Sequence, residues 1–105
     1  MAWAWLMAAG LLEIVFAICL KLSEGFTKPV FTIAFVIATA ISLYCLTRAM
    51  QSIPMGTAYA VWTGIGAVGV VIFGVVFFSE PATAARLFFI STLIASIIGL
   101  KLVSS

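Results

Sequence analysis

One side chain in this sequence stands where it is most expensive to keep. In "AAGLLEIVFA", residues 8–17, Glu13 interrupts an apolar run that reaches back to the N-terminus. The other charged residues, Lys21, Glu24, Lys28, Arg48, Glu80, Arg86 and Lys101, all lie near the ends of long apolar stretches. An ionised group near the centre of a bilayer costs about 2.5 to 3.5 kcal/mol on insertion scales. Polar glue between membrane helices contributes about 0.6 kcal/mol on average, which does not offset that cost. A carboxylate kept at this depth therefore marks an ion or substrate pathway. Glu13 can hold a proton or attract an organic cation, and the two exclude each other by charge. Competition for one site is the core of an antiporter.

The elements that must position Glu13 follow from composition. Hydrophobic residues make up 66% of the chain, against about 45 to 50% in an average soluble domain. A hydrocarbon core of about 30 Å needs about 20 residues of helix, and four segments fit: residues 2–20, 29–47, 56–79 and 85–102. The polar stretches "KLSEGFTKP", "QSIPMG" and "SEPATAAR" separate them, with Gly25, Pro29, Pro54 and Pro81 as breakers. The expected fold is all-α, a single four-helix transmembrane domain over residues 1–105 with no room for a soluble one. No Lys or Arg precedes the first span and no small-residue cleavage site follows Ala17, so this span is expected to be retained.

Helical spacing assigns faces. On the first span Gly10, Glu13 and Ala17 share a stripe with Phe16 beside it, so the carboxylate faces a surface cleared of bulk. On the second, Ala34, Ala38, Ser42, Cys45 and Ala49 form a small-residue stripe suited to close helix packing, and Ser42 adds a hydroxyl at mid-membrane depth. On the third, Tyr59, Trp62 and Gly66 fall together. A deep indole N–H needs a partner, and an ionised Glu13 facing the same cavity would supply one. Gly56, Gly64, Gly66, Gly69 and Gly74 make this span the one most able to bend. On the fourth, Ala95 and Gly99 form a small-xxx-small pair, read as a dimerisation surface.

Lys and Arg in short loops set membrane orientation. Arg48 and Lys101 fall on one side, and Lys21, Lys28 and Arg86 on the other. Near balance permits insertion both ways up, and hence an antiparallel homodimer whose exchange of conformations turns a cavity from one side to the other. An enzyme is not expected: the chain has no His or Asp and no nucleophile paired with a base. Cys19 and Cys45 have neither a Cys-x-x-Cys spacing nor a histidine near them, which argues against a metal or redox site and for packing. A net charge of +2 without any basic run gives no nucleic-acid surface. No cofactor is implied. An accessory membrane subunit and a passive cation channel are the competing readings.

"GLLEIVFAICLK", "SEGFTK", "IPMGTAYAVWTGIGAVG" and "IIGLK" resemble the small multidrug resistance family over essentially the whole chain. The resemblance implies a dual-topology antiparallel dimer in a bacterial inner membrane that exchanges protons for cationic compounds at paired copies of Glu13. It implies that Ser42, Tyr59 and Trp62 line this site and that Gly64 and Gly66 form a bend in the third helix. "GTAYAVWTGIGAVG" and Lys101 in "GLK" look more like the guanidinium exporter subtype than the quaternary-ammonium exporters. Guanidinium presents N–H donors that suit a carboxylate fork, whereas a quaternary ammonium calls for a wider apolar or aromatic site. One residue departs from the subtype, which carries tryptophan in the place of Phe16. Phenylalanine keeps the aromatic wall but has no N–H, so orienting Glu13 is expected to fall to Ser42 and Trp62. Tolerance of larger, substituted guanidinyl cations is the expected consequence.

Overall fold

The computed structural model of the chain describes residues 1–104. Four α-helices follow one another: α1 Ala2–Leu22, α2 Pro29–Met50, α3 Met55–Phe77 and α4 Ala84–Ser104. All four are long and apolar enough to cross a membrane, with mean hydropathies of 2.1, 2.2, 2.2 and 1.9 over their most apolar windows. At a rise of about 1.5 Å per residue each spans about 30 Å. α1 and α2 run two and three residues past the ends read from the sequence, while α3 stops two residues short, at Phe77. It stops there because the chain turns sharply: Ser79 has φ +55° and the Glu80 amide donates back to the Gly74 carbonyl.

The connections are local structures with named causes. Between α1 and α2, Ser23 is fully buried; its hydroxyl donates to the Leu20 carbonyl (2.7 Å) and accepts from the Phe26 amide (3.2 Å). Glu24, Gly25 and Phe26 then take positive φ, and Pro29 opens α2 where its missing N–H has no helical partner to lose.

The helices form a slab 41 × 35 × 17 Å. α1 lies between α2 and α3, and α4 packs along α3, its backbone close to no other helix. The packed core sits toward the end that carries the α2–α3 connection, where Leu6, Ala9, Cys45, Leu46, Ala49, Ile53, Ala58 and Val61 cluster. Cys45 is among them as a packing residue, and both cysteines are free. At that end α1 begins and α4 finishes, placing Arg48 and Lys101 together; Lys21, Lys28 and Arg86 lie at the other.

Candidate functional site

Glu13 sits just past the middle of α1, on the face turned toward α3. Its carboxyl lies directly against the backbone of Gly66. A Cβ added at Gly66 would overlap the carboxyl oxygen and carbon, so only glycine leaves room for it. The neighbouring turns are equally close: a Cβ at Gly10 would meet Ile65, and one at Gly69 would meet Ile14. The α1–α3 seam is thus three glycines interleaved with three side chains, and the carboxylate is the middle one. Glu13 Oε1 is buried and has no hydrogen-bond partner among the described residues.

Ser42 joins the three helices around it. Fully buried on α2, its hydroxyl donates to the Ala9 carbonyl of α1 (2.7 Å) and accepts from Trp62 Nε1 of α3 (3.1 Å). In an α-helix the Ala9 carbonyl also accepts the backbone N–H of Glu13, four residues on. Ser42 therefore grips the backbone on which Glu13 is mounted rather than its carboxyl. This corrects the expectation that Ser42 and Trp62 hydrogen-bond the carboxylate. A serine hydroxyl has one proton; once that goes to Ala9 it can only accept, and the Trp62 N–H is the donor it accepts from.

A run of aromatic rings crosses α3, α1 and α2, with Phe16 one turn beyond Glu13 on α1. The Tyr59 and Trp62 ring centroids are 5.8 Å apart, Trp62 and Phe16 6.5 Å, Phe16 and Phe35 5.8 Å, and Phe35 and Phe26 5.8 Å. Ring faces are electron-rich and interact favourably with cations in general. Tyr59, at the end of the run, is exposed.

Glu13, Phe16, Ser42, Tyr59, Trp62 and Gly66 are thus gathered within one neighbourhood. Gly64 is elsewhere: it is buried against Ile97 and Leu93 of α4, on the opposite side of α3. α3 runs as one continuous helix through both glycines. Ala95 is exposed, and a Cβ added at Gly99 would meet nothing within 4 Å. Two members were missed from the sequence. Phe35 lies seven residues before Ser42 and so on the same face of α2, a spacing that could have found it. The Ala9 carbonyl carries no side-chain signal at all. No group of three metal-ligating side chains occurs among the described residues.

Comparison with known proteins bears on this arrangement. The family model described as Small Multidrug Resistance protein matches residues 1–94. A protein of Yersinia pseudotuberculosis serotype I (strain IP32953) named guanidinium exporter is 52% identical over 104 residues, covering 99% of this chain and all of its own. Proteins of the same name from Proteus vulgaris and Citrobacter freundii are 49% identical over 104 residues and 50% identical over 102 residues. They cover 99% and 97% of this chain, and 100% and 97% of their own lengths. Four membrane-length helices, a carboxylate seated on a glycine seam and a family match over most of the sequence place the chain in the Small Multidrug Resistance family.

Proposed function

We propose that the protein is a proton-coupled antiporter of a bacterial inner membrane that exports guanidinium and substituted guanidinyl cations. The observation that carries this reading is the buried Glu13 Oε1, aimed into the α1–α3 seam without a hydrogen-bond donor. An acceptor so placed is completed by a proton or by a cationic donor, and each expels the other. Guanidinium supplies N–H groups in a plane that matches a carboxylate, and relatives at about half identity carry the name guanidinium exporter.

The transport unit is an antiparallel, dual-topology homodimer in which two copies of Glu13 share one chamber, lined by Phe16, Ser42, Tyr59 and Trp62. Two features favour it: basic residues are nearly balanced between the ends, and α4 leaves its Ala95–Gly99 stripe uncovered. Gly64 and Gly66, which lie on opposite sides of α3 and let α4 and α1 approach it, are the positions about which α3 tilts between the two states. Guanidinium binding to the purified protein, followed calorimetrically against pH, tests the competition. Binding that weakens as pH falls and vanishes in Glu13→Gln supports it; binding independent of pH, or retained in the variant, rejects it.

The Tyr59–Trp62–Phe16–Phe35 wall favours a second reading, export of quaternary ammonium ions, whose donor-free charge is best met by ring faces. Transport of tetraalkylammonium without guanidinium selects that reading.

A further inference from the structure

The end of the molecule that carries the α2–α3 connection has a second polar feature that cation exchange does not use. A recess of about 250 Å³ opens between the start of α1 and the α2–α3 connection, lined by Met1, Ala2, Trp5, Arg48, Gln51 and Ser52. The Arg48 guanidinium is held in place there. It stacks over the Trp5 ring at 5.0 Å and donates through Nη1 to the Tyr44 hydroxyl at 3.3 Å, while Trp5 and Tyr44 themselves meet edge to face at 6.0 Å. Among the described residues no carboxylate pairs with it. The ion pairs that exist, Lys28 with Glu24 (3.8 Å) and Arg86 with Glu80 (3.5 Å), lie at the opposite end, and the remaining acid is Glu13 in mid-span.

We propose that this recess binds the phosphate of an anionic phospholipid. Arginine's planar fork matches phosphate oxygens two at a time, and a fork already fixed by stacking loses little freedom when it does so. The Gln51 amide and Ser52 hydroxyl stand in the same recess as further donors. Its depth is right for a headgroup: Trp3, Trp5 and Tyr44 form an aromatic belt of the kind found at membrane boundaries. Lys101, 5.5 Å over the Trp3 ring, adds a second positive charge at this level. The other basic recess, beside Arg86, lacks these qualities. Arg86 is engaged by Glu80 and the Pro81 carbonyl, and the walls around it are apolar.

The test is native mass spectrometry of the detergent-solubilised full chain with added phosphatidylglycerol or phosphatidylcholine. The protein is expected to retain phosphatidylglycerol in preference, and Arg48→Gln to lower that retention about fivefold, the effect of one basic residue near an anionic surface. Lys28→Gln, at the far end, should leave it unchanged. Gln51→Leu with Ser52→Ala keeps every charge yet should reduce retention measurably, which separates a built site from general attraction; it also decides the matter if Arg48→Gln loses its helicity. Equal retention of the two lipids, or a preference that survives Arg48→Gln or the double variant, overturns the proposal. So does displacement of the lipid by excess inorganic phosphate, which would make the recess a site for free anions.

Discussion

α1 and α4 are almost equally apolar, with hydropathies of 2.1 and 1.9, yet their circumstances differ sharply. α1 is packed between α2 and α3, takes part in the Ser42 hydrogen bond through Ala9, and lays Gly10, Glu13 and Ile14 into the seam with α3. α4 packs its backbone against α3 alone, reaches α1 through Lys101 over the Trp3 ring, and buries no residue of its membrane-spanning stretch. Its hydroxyls turn inward on their own helix: Ser91, Thr92 and Ser96 each donate to the carbonyl four residues before. Lipid tails are as apolar as leucine, so apolarity puts a helix into the membrane but does not choose its neighbours. Small residues and cross-helix hydrogen bonds do, and α1 has both satisfied within the chain. α4 has the small residues, Ala95 and Gly99, with nothing against them. In the proposed dimer that surface is where a second copy packs, while α1 to α3 hold the chemistry.

Substitutions at the two helices should therefore separate chemistry from assembly. Glu13→Gln has the largest effect, loss of coupled cation transport to background with far-UV helicity unchanged. Gly66→Val comes next. Its side chain occupies the place of the Glu13 carboxyl, so it should destabilise the fold by about 1 to 3 kcal/mol in detergent titration and abolish substrate binding with it. Ser42→Ala leaves the Trp62 N–H without its acceptor and the Ala9 carbonyl without its extra donor. Its expected cost is about 0.6 to 1.7 kcal/mol, with binding weakened because Trp62 is no longer held. Gly99→Ala is the smallest: the added methyl meets nothing, so the monomer fold should change by less than about 0.5 kcal/mol. The bulkier Gly99→Leu should lower dimer yield in crosslinking while leaving helicity intact. A Gly99 variant that lost substrate binding in the intact dimer would break the division between the two helices.

Much of this was legible in the sequence. The four spans and the isolated carboxylate follow from hydropathy, whereas the placing of Ser42, Tyr59 and Trp62 around Glu13 comes from the family resemblance. The partnership of Ser42 with Ala9 and Trp62 was not legible, because each span is apolar on all sides and periodicity then does not say which face turns inward. Nor does a carbonyl acceptor leave any trace in side-chain identity. Gly64 and Gly66 are a different case. Two residues apart on a helix, they point about 200° from one another, so their service to different neighbours, α4 and α1, was implicit in their spacing.

The central claim is that a proton and a guanidinium cation compete for Glu13, and uptake of guanidinium into proteoliposomes under an imposed pH gradient tests it most directly. Wild-type protein should move guanidinium against the proton gradient, with the direction reversing when the gradient is reversed, and Glu13→Gln should be silent. Guanidinium flux that ignores the direction of the pH gradient, or that persists in Glu13→Gln, would contradict the claim.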